Sequence, residues 1–187
     1  MDIDEIIDKI DQMPESSKSL LVEHLSEVTY TKGHHILDTG KVETTVFFLK
    51  KGIVRAYVPI EGEEITFWIG KEGSTIVSLK SYVNNLPGYE TIELMEDSIL
   101  YALKREKLYN LFEKDIHIAN WGRKFAESEL ILTEERLISL LFMSASERYK
   151  ELIKTNPELL QRLPLGCIAS YLGITQVSLS RIRSNLK

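Results

Sequence analysis

The sequence holds one cysteine, Cys167, and four histidines in 187 residues. A lone thiol cannot form an intramolecular disulfide, a four-thiolate iron-sulfur cluster or a zinc site built on several thiolates. Cluster-based sensing is thereby excluded, and Cys167 is expected to be a small buried helix residue. Long apolar runs are also missing. Stretches such as Leu137 to Met143 fall far short of the roughly 20 residues that cross a bilayer. The opening MDIDEIIDKID is acidic, unlike a basic leader, so a cytoplasmic protein with no membrane partner is expected. Acidic residues in turn are missing from one place. Between Gln161 and Lys187 the charged residues are Arg162, Arg181, Arg183 and Lys187, although the whole chain carries a net charge of -5. An acidic body with a basic terminal segment is the asymmetry expected when only one part faces phosphate. A hydrophobic share of 43% is enough to build a core, so disorder is a poor description of the chain.

The pattern along the chain changes twice. The first segment predicts two short helices, Asp2 to Gln12 and Glu15 to Val28, parted at Met13-Pro14; Leu20, Leu21 and Leu25 recur at helical spacing in the second. From Tyr30 to about Leu103 the runs HHIL, TVFFLKKGIVRAYV, EEITFWIG, TIVSL, TIELMED and SILYALK read as short strands. Turn signals at Thr39-Gly40, Lys51-Gly52, Glu61-Gly62, Glu72-Gly73 and Pro87-Gly88 punctuate them, which predicts an antiparallel roll or barrel. REKLYNLFEK follows as a short amphipathic helix, then a long helix from Ile116 to about Met143. At about 1.5 Å per residue this helix spans roughly 42 Å. Ile118, Trp121, Phe125, Leu132, Leu137 and Leu140 give it more apolar surface than one roll covers, so it is expected to pack against its own copy. Gly122 costs helix propensity and makes its start the weak point. Ser144 to Lys187 predicts a compact helical module broken at Asn156-Pro157.

Within that module, Ile168, Ala169 and Leu172 fall on one face of a first short helix, and the small Ala169 lets a second helix approach. Gly173 supplies the tight turn, since glycine adopts a left-handed backbone at little cost. Thr175 is placed to cap the second helix. Leu179, Ile182 and Leu186 recur at i, i+3 and i+7 and point inward, which forces Gln176, Val177, Ser180, Arg181 and Ser184 outward. Short polar groups and a cation on the N-terminal half of such a helix suit a major groove. Arg181 matches the O6 and N7 of guanine, Gln176 adenine, and Val177 a thymine methyl. Thr175 and Ser180 are better placed for phosphate. The alternative is a helical hairpin used only for packing.

The roll, the long helix and the run IASYLGITQVSLSRIR together resemble the Crp/Fnr superfamily of transcription regulators. The preceding ASERYKELIKTNPELLQRLPLGCIASYLGIT is similar to regulators of this type from Bacteroidetes, with Arg148 and Tyr149 opening the module. The resemblance implies an α+β fold: an N-terminal double-stranded β-roll of the cyclic nucleotide-binding kind (1–115), a long dimerisation helix (116–143) and a C-terminal helix-turn-helix (144–187). It implies a homodimer on palindromic double-stranded DNA with half-sites about 34 Å apart, and RNA polymerase as a further candidate partner. Two departures stand out. Val77-Ser78 occupies the place of the family's ribose-holding Gly-Glu pair, and Gly88-Tyr89 stands near its phosphate-pairing Arg. A buried phosphate left without a cation costs several kcal/mol, so cyclic AMP and cyclic GMP are not expected effectors and no cofactor is expected. Lys80 is a substitute cation only if it is not simply solvated. An effector between roll and long helix is the family arrangement, with Phe67, Trp68, Ser78, Tyr82 and Tyr89 as candidate lining. The sequence ends at Lys187, right after the second helix, where many relatives continue into a β-hairpin wing; without those phosphate contacts weaker affinity and a shallower salt slope are expected.

Three other readings compete. A cupin-like metal enzyme would need clustered histidines, yet His34 and His35 are adjacent and on a strand face opposite sides, while His24 and His117 fall on helices. A haem sensor would need one histidine as axial ligand. A ligand-sensing module that does not bind DNA would present a different surface at Arg181.

Overall fold

The apolar run Val46-Phe47-Phe48-Leu49 has no polar alternation, as in a strand buried on both faces. The computed structural model, which describes residues 1–185, shows what covers each side. Two helices, α1 (Ile3–Ile10) and α2 (Glu15–Val22), lead into strands β1 (Ser26–Tyr30), β2 (His35–Leu37), β3 (Thr45–Lys51), β4 (Val54–Ile60), β5 (Glu63–Gly70) and β6 (Thr75–Ile76). Helix α3 (Leu79–Asn84) interrupts the strands before β7 (Thr91–Leu94) and β8 (Ser98–Lys104). The strands form two antiparallel four-stranded sheets in the orders β1-β8-β3-β6 and β2-β7-β4-β5. Phe47, Leu49, Val54, Ile92 and Leu100 fill the space between the sheets. Val46 and Phe48 point the other way, onto Ile6, Ile7, Leu21, Leu108 and Trp121 of the helices.

After β8 the chain continues as α4 (Arg105–Lys114), α5 (Ile116–Phe142), α6 (Ala145–Thr155), α7 (Leu159–Arg162), α8 (Leu165–Tyr171) and α9 (Gln176–Asn185). Helix α5 starts where expected, capped by Asp115, whose carboxylate accepts the N–H groups of His117 and Ile118. Gly122 is needed there. A Cβ at this position would stand 2.5 Å from the Phe112 ring, so the glycine lets α4 lie close against α5 at the expense of helix propensity.

Three sequence expectations change. Helix α2 stops at Val22, and Ser26–Val28 lie in β1, because β8 takes them as its partner from Ser26↔Ala102 to Tyr30↔Ser98. The run TIVSL gives only two strand residues, paired with Phe47 and Phe48, before the chain turns at Ser78 into α3. Ile118 (0% exposed) and Trp121 (3%) do not belong to a free apolar face. They are buried under the protein's own α1 and α2, with the Trp121 indole N–H donating to the Ile7 carbonyl at 3.0 Å. The uncovered surface of α5 starts further on. Leu130, Ile131, Leu137, Ile138, Leu141 and Phe142 are between 49% and 79% exposed.

Candidate nucleic-acid interface

The turn between α8 and α9 is built as its residues require. Gly173 has φ +69°, a left-handed backbone that a side chain would strain. The Ser178 N–H donates to the Thr175 hydroxyl at 3.2 Å, and the Leu179 N–H to the Thr175 carbonyl at 3.0 Å. Ile168, Ala169 and Leu172 are buried at 1 to 2% exposure and Leu179 at 0%; Ile182 packs partly against them. Leu186 lies outside the described residues. Leu179→Ala would remove the anchor of α9 at a cost of about 2–5 kcal/mol.

With Leu179 and Ile182 inward, Thr175, Gln176, Val177, Ser180, Arg181 and Ser184 are all exposed on α9 and its cap. None of them is tucked against the roll. Among the described residues neither Arg181 nor Arg183 has a carboxylate within salt-bridge reach, and α9 carries no acidic side chain. The Thr175 hydroxyl is engaged in the cap and with Ser178 at 3.0 Å.

Two arginines that the groove argument did not use brace this turn. Arg148 donates to the Leu172 carbonyl at 2.8 Å and 3.1 Å and to the Met143 carbonyl. Arg136 donates to the Tyr171 carbonyl and lies 4.0 Å from the centre of the Tyr171 ring. Both guanidiniums thus sit at the C-terminal end of α8, where its unpaired carbonyls and dipole favour a cation. Leu140, expected at the dimer face, reaches to within 3.7 Å of a Cβ position at Gly173 and remains 43% exposed.

Sequence reasoning also missed the docking of the module on the roll. The Ser170 hydroxyl donates to the Glu64 carbonyl and accepts from the Thr66 N–H, both at 2.8 Å, so α8 caps the open edge of β5. Ile53 and Met95 of the roll join the apolar core of the module. Lys71 reaches Asn156 at 2.6 Å and Glu158 at 2.8 Å. Arg162 bridges Glu72 at 2.7 Å and Glu96 at 2.5 Å. Cys167 is buried at this contact, and burial pushes its thiol pKa up. Such contacts join residues some 66 to 106 positions apart and leave no local pattern; the one available signal was the isolated Arg162 in a segment free of acids.

The Glu72 carboxyl titrates in a revealing way. Burial acts to raise its pKa, but the hydrogen bonds from Arg162 and the Gly52 N–H outweigh it and hold the value at about 2, below the ordinary 4.5. A pKa lowered by folding contributes stability above the unfolded value that is lost as pH falls through the folded one. Glu72 is therefore expected to contribute on the order of 2 kcal/mol at neutral pH, lost between about pH 4.5 and pH 2. Denaturant midpoints measured across that range should fall less steeply for Glu72→Gln.

The five candidate lining residues do not form one pocket. Phe67 and Tyr89 are exposed and face each other with ring centres 6.3 Å apart. Trp68 packs into the core between the sheets. Tyr82 stacks on Tyr109 at 5.1 Å, and burial raises its pKa to about 12. Ser78 is 3% exposed, and its hydroxyl has no partner among the described residues. A cleft of about 280 Å³ at the β1 end of the roll, with His24, Tyr30, Phe47 and Lys104 in its lining, contains none of the five. His34 stacks on Tyr30 at 4.2 Å, and His35 Nδ1 is 3.0 Å from Asp38. Among the described residues no three His, Cys, Asp or Glu side chains are grouped to hold a metal. No described helix is long and apolar enough to cross a membrane.

Comparison with known proteins agrees with this architecture. Residues 27–115 match the family model of the cyclic nucleotide-binding domain. No curated protein sequence matches the chain. Among solved structures, FixK2 from Bradyrhizobium japonicum is similar with a TM-score of 0.76 at 21% identity, over 87% of this chain and 84% of that one. A protein from Eubacterium rectale described as a transcriptional regulator of the Crp/Fnr family has a TM-score of 0.73 at 17% identity, over 91% and 82%. The catabolite activator protein of Thermus thermophilus has a TM-score of 0.60 at 19% identity, over 95% and 85%. Residues 27–115 thus form a domain of the cyclic nucleotide-binding family, carried in a chain with the fold of Crp/Fnr regulators.

Proposed function

We propose that this protein is a cytoplasmic DNA-binding transcription regulator that acts as a homodimer on a palindromic site. The roll with its N-terminal helices (1–115) is the sensor, 116–143 the dimerisation helix and 144–187 the DNA-binding module. The observation that carries the reading is the outward face of α9, with Gln176, Val177, Ser180, Arg181 and Ser184 exposed around a fully buried Leu179. That face has groups for base edges and none that repels phosphate. Thr175 and Ser180 meet the backbone, and Arg181 reads a guanine. RNA polymerase is a further partner in this reading, and no catalytic role is assigned. Cyclic AMP is not expected as the effector in this reading, because Val77-Ser78 and Gly88-Tyr89 stand where the family holds the ribose and pairs the cyclic phosphate, and Lys80 is exposed to solvent.

Selection of bound duplexes from a random pool tests palindromy and spacing at once. Arg181→Ala is expected to weaken the selected site by about 1–3 kcal/mol and to relax preference at one base pair of each half-site. Equal binding by parent and variant would remove α9 from the groove and favour the reading of a sensor without DNA.

A further inference from the structure

The sheet β1-β8-β3-β6 turns one face toward its partner sheet, and near β1 part of that face stays open. By register Ser26, Ala102 and Phe47 stand side by side, and Thr45 stands beside Lys104 in the neighbouring row. With His24, Val28 and Tyr30 they line the cleft of about 280 Å³, to which no residue of β2, β4, β5 or β7 contributes. Val28, Tyr30 and Ala102 pack against the core between the sheets, of which Phe47 is part, so the floor of the cleft is apolar.

The polar groups above this floor are donors. An ammonium has three N–H groups, and Lys104 gives one of them to the Thr45 hydroxyl at 3.1 Å. Lys18, Lys41, Lys50 and Lys71 each pair with a carboxylate, whereas Lys104 pairs with none among the described residues. Thr45 is 7% exposed, and its oxygen accepts from Lys104 while its own proton has no acceptor among the described residues. The His24 imidazole stands exposed at the rim and carries an N–H in either tautomer. No acidic side chain lines the cleft, although the chain has 28 Asp and Glu residues. Glu27 falls on the opposite face of β1 and pairs with Lys50 at 2.6 Å, and Glu43 accepts from the Thr44 and Thr45 N–H groups at 2.7 Å. Donors without a competing carboxylate, set over apolar carbon, suit a molecule with an anionic head and an apolar body. Sites for drug-sized molecules run from about 300 to 1,000 Å³, so a cleft of this size takes a short chain rather than a nucleotide.

We propose that this cleft binds a short apolar monocarboxylate. The carboxylate accepts from Lys104 Nζ and from the Thr45 hydroxyl, and the carbon body lies on Val28, Phe47 and Ala102. The site belongs to the roll alone and shares no residue with 77–90, so it depends neither on the groove reading of α9 nor on an effector beneath the long helix.

The experiment is a heteronuclear NMR titration of the nitrogen-labelled full chain with sodium hexanoate, with hexan-1-ol and n-hexylammonium chloride as comparisons of matched length. Saturable shifts are expected at the amides of 26–30, 45–47 and 102–104. Hexan-1-ol, which lacks the charge-assisted bond, is expected to bind at least about fivefold more weakly, and hexylammonium more weakly still. Lys104→Gln, at an exposed position, is expected to weaken hexanoate about tenfold. Ser26→Phe is expected to abolish binding by filling the cleft, since Ser26 is exposed and an aromatic side chain suits a strand. Unchanged thermal unfolding of both variants certifies their fold. The proposal is overturned by the absence of saturable shifts at millimolar hexanoate, by shifts confined to 77–90, by hexylammonium binding as well as hexanoate, or by equal binding to Lys104→Gln and the parent.

Discussion

Glutamate in place of both Leu137 and Ile138 is expected to yield a folded monomer whose affinity for a palindromic duplex is about 10²- to 10⁴-fold below that of the parent. The two side chains are 54% and 49% exposed, so neither supports the roll, and charge there costs the single chain little. In the proposed dimer they would meet the second copy. Along α5, Leu130, Leu137 and Leu141 recur at intervals of seven and four, beside Ile131, Ile138 and Phe142 at the same spacing, all exposed. Two such stripes are a seam for a second helix. Four buried glutamates near the axis would be left unpaired. Separate half-site modules then bind independently, and the effective-concentration gain of the linked pair disappears. Sedimentation of the variant reads the mass, and circular dichroism reads the fold. A dimer that survives the substitution would place the interface elsewhere and leave this apolar face without a role.

Arg162→Ala is expected to release the C-terminal helical module from the roll. The Arg162 side chain is 27% exposed and joins two carboxylates, Glu72 and Glu96, at 29% and 31%. Removing the cation strands two half-buried negative charges facing each other. Breaking a buried pair in this way costs about 3–5 kcal/mol; with this much exposure, solvent screening reduces it to about 1–3 kcal/mol. Other contacts share the load, among them the Lys71 pair and the Ser170 cap on β5, so the module should stay folded while its docking loosens. Hydrogen exchange separates the two: the Thr66 N–H, which is held by Ser170, should exchange faster, while amides within α8 and α9 keep their protection. Because docking sets where α9 points, the variant should also tolerate altered half-site spacing if the proposed DNA reading holds. Unchanged exchange at Thr66 would show that Arg162 carries none of the docking.

What could be read in advance differs sharply by kind. The helix-turn-helix was legible because its determinants are local. Gly173 must take a positive φ, Thr175 sits next to the amides it caps, and the i, i+3 recurrence of Leu179 and Ile182 decides which side of α9 is left out. Strands β3, β4 and β5 were legible for the same reason, since glycine turns bound them closely. The failures were non-local. Ser26–Val28 carry no strong local preference, and β8 draws them into a sheet. Ser78 looked like the end of a strand, although β6 keeps only Thr75 and Ile76 paired before α3 starts. Ile118 and Trp121 lie on the same helix as the exposed leucines, and spacing cannot tell which turns of a long helix the protein's own roll will cover.

The sequence by itself determined the succession of leading helices, roll, long helix and terminal helical module, the inward and outward faces of the last helix, the basic character of that end and the apolar excess of the long helix, because each depends on neighbours within a few residues. Only the tertiary structure decided which part of that excess is already covered, that Arg162 and Ser170 tie the module to the roll, and that Lys104 and Thr45 meet over an apolar cleft. Those arrangements depend on burial and charge pairing between distant segments, energies that exist only once the chain has folded.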